Sequence, residues 1–346
     1  MNIGIVGYGS YIPRYRIKAE EIALAHSDDI KKINSSLGVD EKSVPGEDED
    51  AVTLGVQAAR NALIRSGLTG ANLGAIYVGS ESHPYAVKPS ATIIGSALGC
   101  EKQYAAADFE FACKAGTAAL QAAYAQVKSG FCDYALAIGS DTAQSSPGDI
   151  LEYTAGSAAA AYIIGSGDNV LASLDFTMSI SSDTPDFWRR SLQSFPTHMG
   201  RFTAEPSYFE HMQNILYAMF EKTNMCSSDF AHVVFHQPNF RIPFALGNRI
   251  GFTLNQMETG MLVKNIGNSY SASALIGFSA ILDKAEVGER LLLVSYGSGS
   301  GCDAFIFTTT KKLCSVQNLA TKTRDYIHKK TYLSYTHYQK NINASC

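Results

Sequence analysis

Cys113 stands where an apolar run gives way to an alanine-rich one, in Glu110-Phe-Ala-Cys-Lys-Ala-Gly-Thr117. Residues 114–129 read as a helix, so the thiol sits at the positive end of a macrodipole. There a thiol is expected to titrate below its free value of about 8.5, and the thiolate is the nucleophile. His236, in Val-Val-Phe-His-Gln-Pro-Asn, and Asn268, in Asn-Ile-Gly-Asn-Ser-Tyr, are partners for such a thiol. Glu81, in Gly-Ser-Glu-Ser-His-Pro, adds a carboxylate. A nucleophile, an imidazole, an amide and a carboxylate on successive strand ends suggest carbon–carbon bond formation on a thioester.

Each of these residues also has an ordinary structural reading. Buried free cysteine is common in cores. The small residues Ala115, Gly116, Thr117 and Ala118 favour the catalytic reading of Cys113, because they let a ligand approach closely. His236 ends an apolar strand, either as a satisfied core group or as a donor at a pocket mouth. Asn268 precedes a helix and could cap it. Glu81 is a surface carboxylate or a base, and its Gly-Ser and His-Pro flanks keep it off an ordinary helix face. The run Tyr296-Gly-Ser-Gly-Ser-Gly301 resembles a phosphate loop only weakly, since a strand and not a helix follows it. It reads as a tight turn whose amides face the reacting centre.

The elements that must position these groups are short apolar runs alternating with helical ones. Residues 3–6, 75–79, 134–139 and 158–164 read as strands, and 19–25, 49–66 and 90–99 as helices. The strands are continuously apolar, as expected where both sheet faces are covered. The second half repeats this order, with 233–236, 291–296 and 304–308 as strands and a loop and helix over 268–285. The expected fold is α/β, with two structurally related halves, 1–168 and 169–346. Glu81 and Cys113 belong to the first half. His236, Asn268 and the Gly-Ser-Gly loop belong to the second, with a loop-rich insertion near 181–211. The tyrosine-rich tail from residue 318 reads as a short helix with an extended end.

Composition bounds the alternatives. The 346 residues are 46% hydrophobic and 17% charged, with a net charge of −4, so a sizeable core is expected and a general nucleic-acid binder is not. The seven cysteines are scattered and form no CxxC pair, which disfavours a disulfide framework or structural zinc and suits a reducing cytosol. The first residues lack a basic stretch before their apolar run and read as a strand, not a signal peptide. No uninterrupted apolar stretch of about 20 residues is present, so no membrane span is expected.

At these residues the chain resembles the hydroxymethylglutaryl-CoA synthases of the archaeal type, in the thiolase superfamily. The resemblance runs over essentially the whole chain. Its most specific stretches are Gly79-Ser-Glu-Ser-His-Pro-Tyr-Ala-Val-Lys-Pro89, Glu110 to Thr117 and Ser182-Asp-Thr-Pro-Asp-Phe-Trp-Arg-Arg190. It implies a thiolase-like fold with layered α-β-α-β-α packing. It also implies an acyltransferase that joins acetyl-CoA to acetoacetyl-CoA in mevalonate synthesis. By resemblance Cys113 carries the acetyl group, Glu81 is the acid/base and His236 meets acetoacetyl-CoA. Thr154, Asn268 and Ser298 bind substrate, and Arg201, Thr203 and Arg241 lie near coenzyme A. Family members often carry lysine where Arg241 stands, and a further basic position is Ala245 here. Coenzyme A thioesters are substrates, and no cofactor or metal is implied. A cytoplasmic homodimer is expected, within a complex with acetoacetyl-CoA thiolase and a small bridging protein. Alternatives are a β-ketoacyl synthase III-like enzyme, a carrier-protein-dependent β-branching synthase and a non-catalytic scaffold subunit of a thiolase assembly.

Overall fold

A computed structural model describes residues 2–143, 145–200 and 202–344. Its centre is a nine-stranded sheet. In chain order the strands are β1 (Ile3–Tyr11), β2 (Ala75–Gly79), β3 (Ala105–Phe109), β4 (Ala135–Thr142), β5 (Ser157–Ser166), β6 (Ala172–Ser181), β7 (His232–Phe235), β8 (Arg290–Gly297) and β9 (Gly301–Thr309). The spatial order is β7-β8-β9-β6-β1-β5-β4-β2-β3. β2 runs parallel to β3 and β4, and β7 runs parallel to β8, while the other neighbours are antiparallel. The seam between β1 and β6 rests on the pairs Gly4 with Ser173 and Ile5 with Ala172. A Cβ on Gly4 would lie 2.1 Å from the Ala172 carbonyl oxygen, so this close approach needs glycine.

The strands are apolar on both faces because each face meets a helical layer. The main helices are α1 (Ala51–Ser66), α2 (Ala115–Lys128), α3 (Phe209–Thr223), α4 (Arg241–Ile250) and α5 (Ser273–Leu282). Along β2, Ala75 and Tyr77 share a buried cluster with α2 and α5, and Ile76 and Val78 share another with α1. Along β8, Leu291 and Leu293 face α2 and α5, and Leu292 and Val294 face α3. The layers are therefore α1, sheet, α2 with α5, sheet, α3, the α-β-α-β-α arrangement expected from sequence. α5 buries all its residues, as the middle layer requires.

Element ends explain where the polar groups emerge. α1 starts at 51, not 49, because Asp50 and Thr53 form a reciprocal capping box. β4 runs on to Thr142, past the expected end at 139, and so carries Asp141 into the interior. Between β6 and α3, Phe187–Trp188 pairs with Thr197–His198, and a π-helical turn spans Thr203–Tyr208. The tail folds as Lys311–Val316, Thr323–His328 and Tyr335–Ala344, three short helices with a small strand, Thr331–Tyr332, between the last two.

Candidate active site

The turn that carries Cys113 joins β3 to α2. Ala112 adopts φ 45°, a left-handed conformation that a non-glycine residue takes only when its surroundings enforce it. Cys113 follows it, one residue before the N-cap Lys114, and is buried against Ala155 and Tyr270. Its thiol is close enough to the Glu81 carboxylate for each to shift the titration of the other. Two residues 32 positions apart in sequence thus come together beside the cleft that Glu81 lines.

The thiol does not titrate as its helix position suggests. Burial and the Glu81 charge push Cys113 well above the ordinary thiol range. The helix end is a local feature, whereas burial beside a carboxylate arises only on folding and outweighs it. Burial and Asp141 likewise push the Glu81 carboxyl up to about 8, and the neighbouring thiol partly opposes them. The resting pair therefore keeps its thiol proton. Glu81 Oε1 is buried and makes no hydrogen bond within the protein, so it is open to a bound molecule.

Asp141 organises the loops around this pair. Its Oδ1 accepts from the Glu81 N–H (2.8 Å), the Ser80 hydroxyl (2.8 Å) and the Ser82 hydroxyl (2.6 Å). Its Oδ2 accepts from the Ser271 N–H at 2.8 Å. One buried carboxylate so ties the end of β2 to the turn before α5. Sequence reasoning missed it, because Asp141 reads there as a polar residue beyond a strand. Gly116 needs a similar revision. Its Cβ position lies 2.6 Å from the Ser271 carbonyl oxygen and 2.9 Å from Gly139 Cα. At Gly116 the smallness lets protein backbone approach, not a ligand.

The second half of the chain supplies the other groups. Asn268 donates its N–H to the Thr154 carbonyl at 2.6 Å, and the Gly156 N–H donates to the Asn268 carbonyl at 2.8 Å. Ala155, between them, is the residue that packs on Cys113. Asn268 Oδ1 accepts the Tyr270 N–H, the cap-like bond anticipated for it. His236 leaves the end of β7, held by its own N–H on the Val294 carbonyl and by the Tyr208 hydroxyl on its carbonyl. Burial pushes its imidazole down to about 3, so it is neutral at physiological pH, and its Nδ1 is buried without a partner. The His236 ring lies 6.4 Å from the Tyr296 ring, whose hydroxyl hydrogen-bonds Ser207 at 2.6 Å, and Ser298 follows in the β8–β9 turn. Gly297 brings this turn against the nucleophile turn, its Cβ position 2.6 Å from the Phe111 carbonyl oxygen. Glu81, Ala112, Tyr270 and Ser298 line one cleft of about 760 Å3.

Comparison with known proteins decides the family. The chain is 51% identical to a hydroxymethylglutaryl-CoA synthase of Archaeoglobus fulgidus over 341 residues, covering 98% of each chain. It is 50% identical to that of Methanopyrus kandleri over 338 residues, covering 98% of this chain and 96% of the relative. The chain belongs to the hydroxymethylglutaryl-CoA synthase family. Residues 220–309 match the model of the 3-oxoacyl-(acyl-carrier-protein) synthase III C-terminal region. A solved HMG-CoA synthase complexed with CoA superposes with a TM-score of 0.89 at 25% identity, over 98% of this chain and 90% of that one. FabH, the 3-oxoacyl-(acyl carrier protein) synthase III of Pseudomonas aeruginosa, shares the fold with a TM-score of 0.82 at 20% identity, over 90% of this chain and 99% of that one.

Of the residues expected near coenzyme A, two fall on described elements of the second half of the chain, Thr203 and Arg241. Arg201 lies outside the described residues. Thr203 opens the π-helical turn and donates its hydroxyl to the Asp186 carbonyl at 3.0 Å. Arg241 is exposed at the start of α4, and neither it nor Thr203 lines the cleft. Arg189, given no role from sequence, lines the cleft and donates to the Glu81 carbonyl at 3.0 Å. Lys114 forms a buried ion pair with Asp303, Nζ 2.9 Å from Oδ1, and so ties the nucleophile turn to β9. No single-sequence pattern links two residues so far apart.

Proposed function

We propose that this synthase condenses acetyl-CoA with acetoacetyl-CoA to hydroxymethylglutaryl-CoA, a step of mevalonate synthesis, through an acetyl-Cys113 intermediate. The Cys113 sulfur attacks the acetyl carbonyl, Glu81 takes the thiol proton, and coenzyme A leaves with a proton. Glu81 then removes a proton from the acetyl methyl group. The enolate carbon forms a bond to the ketone carbon of acetoacetyl-CoA, whose oxygen becomes an alkoxide and is protonated. A neutral His236 and the Asn268 side chain hold that oxygen, and Thr154 and Ser298 flank the acyl groups. Water releases the product and restores the thiol. Thr203, Arg201 and Arg241 serve the coenzyme A end. The thioesters are substrates, and the scheme uses no further cofactor.

The observation that carries this reading is the Glu81 carboxylate, on the cleft wall, set beside the buried Cys113 thiol and electrostatically coupled to it. The C-terminal match to synthase III favours a β-ketoacyl synthase as the second reading. That match spans His236 and Asn268 but not Glu81, and decarboxylation of a malonyl thioester needs no such base. Intact mass after mixing with acetyl-CoA alone separates them from a scaffold. A single acetyl adduct on Cys113, discharged by acetoacetyl-CoA and not by malonyl-CoA, supports the condensation. No adduct, or discharge by malonyl-CoA, overturns it.

The six cysteines described are all free, which supports a reducing cytosol. No helix among the described residues is long and apolar enough to cross a membrane. We propose a homodimer, which the half-buried strand β3 at the sheet edge supports. An assembly with acetoacetyl-CoA thiolase and a small bridging protein is the expected setting.

A further inference from the structure

The C-terminal helix Tyr335–Ala344 has no part in the scheme above, yet its polar side chains are spent on buried groups close to it. Glu152 is fully buried, two residues before Thr154. Its Oε1 accepts from the Tyr335 hydroxyl at 2.9 Å and from Gln339 Nε2 at 3.2 Å. Its Oε2 accepts from the Gly148 N–H at 2.7 Å and meets His26 Nε2 at 2.9 Å. A buried carboxylate needs such partners, and the helix contributes two of these four.

Lys42 is the second anchor. It is 1% exposed, and its ammonium donates to the Tyr338 hydroxyl at 2.8 Å. Its neighbour Ser43 donates from one hydroxyl to the carbonyls of Ser157 (2.6 Å) and Ile266 (2.9 Å). Those two carbonyls flank the Thr154–Asn268 pairing on either side. The Lys42 stem also packs on Gly267, whose Cβ position lies 2.8 Å from Lys42 Cβ and 2.5 Å from the Thr154 carbonyl oxygen. The helix therefore grips both segments that carry Thr154 and Asn268, one through Glu152 and the other through Lys42.

We propose that the C-terminal helix is a positioning element for the acetoacetyl-CoA side of the site, acting through Tyr335 on Glu152 and Tyr338 on Lys42. This rests on the reading that Asn268 and Thr154 hold the acceptor. Glu81 and Cys113 have further holds of their own, Asp141 and the Lys114–Asp303 pair, while the helix reaches Cys113 only through Ala155, so its loss weighs more on the second substrate than on acetylation.

The test uses the full chain with Tyr335→Phe and Tyr338→Phe combined, which removes two hydroxyls and keeps both rings. Lys42→Met is the second variant, and Asn268→Ala is the control. Acetylation of Cys113 by acetyl-CoA alone is followed by intact mass, and KM for acetoacetyl-CoA and kcat by steady-state rates. The tyrosine variant is expected to acetylate close to the parent rate and to raise KM for acetoacetyl-CoA by about tenfold, the scale of a lost hydrogen bond to a charged group. An unchanged KM overturns the proposal, as does a fall in acetylation equal to the fall in condensation, which would mark general loosening. Should Lys42→Met fail to fold, the tyrosine variant decides alone. If Asn268→Ala leaves acceptor kinetics unchanged, the acceptor reading itself fails. If Asn268→Ala impairs them and the tyrosine variant does not, only the role of the helix fails.

Discussion

Glu81 lies beside the buried Cys113 thiol, where burial and the Asp141 charge push its carboxyl up to about 8, and burial with the Glu81 charge pushes the thiol well above its ordinary range. A base that must be ionised to act is thus held protonated over much of the neutral range. The rate of condensation should rise with pH and level off above about 8, and Glu81→Gln should lower it by about a hundredfold or more. Initial rates from pH 6 to 10 check this. His236, pushed down to about 3, should add no second inflection in that interval.

The same burial has a stability consequence of definite sign. The unfolded carboxyl releases its proton near pH 4.3 and the native one only near 8, so between about 4.3 and about 8 the native state binds more protons. Stability from this group is present below that window and is lost as pH rises through it. Glu81→Gln should flatten that slope in urea titrations at a series of pH values.

Asp141→Asn replaces an acceptor that serves four donors with a group that can oppose one of them. Each buried donor left unmatched costs about 1–3 kcal/mol. The variant should lose roughly that much stability by denaturant midpoint. Its condensation rate should fall further than the fraction folded explains, because Glu81 and the Ser271 turn are no longer fixed to one carboxylate.

Lys114→Met strands Asp303 in the interior and should cost about 3–5 kcal/mol. Asp303 would keep its bond from the Thr117 hydroxyl, at 2.8 Å. Adding Asp303→Leu should recover much of that loss, since removing both charges leaves neither unpaired. A double-mutant cycle on urea midpoints measures the coupling.

Gly116→Ala forces a methyl to within 2.6 Å of the Ser271 carbonyl and 2.8 Å of Leu275 Cδ1. Overpacking of this kind costs about 1–3 kcal/mol. Because Ser271 lies on the turn that carries Asn268, KM for acetoacetyl-CoA should rise as well.

The strands and the main helices were legible because their signals are local. An apolar run that stops at Glu81 or His236 announces a strand end, and the alanine-rich stretch after Cys113 announces α2. Strands apolar on both faces indicated a covered sheet, and the full layering came from the family resemblance. What stayed hidden depends on residues that meet only after folding. The helix end near Cys113 suggested a low pKa, but burial, and then the carboxylate 32 positions earlier in sequence, push it high. Asp141, the Lys114–Asp303 pair and the Glu152 cluster each join segments that no periodicity relates. The small residues after Cys113 were noticed, yet at Gly116 the neighbour they admit is Ser271, not substrate.

The bonds that complete the pocket span long stretches of chain, 130 residues from Asp141 to Ser271 and 189 from Lys114 to Asp303. During translation the sulfur emerges well before the strand and turn that enclose it. A nascent polypeptide therefore displays a bare thiol, and a messenger cut short near residue 270 yields a reactive cysteine with no enzyme around it.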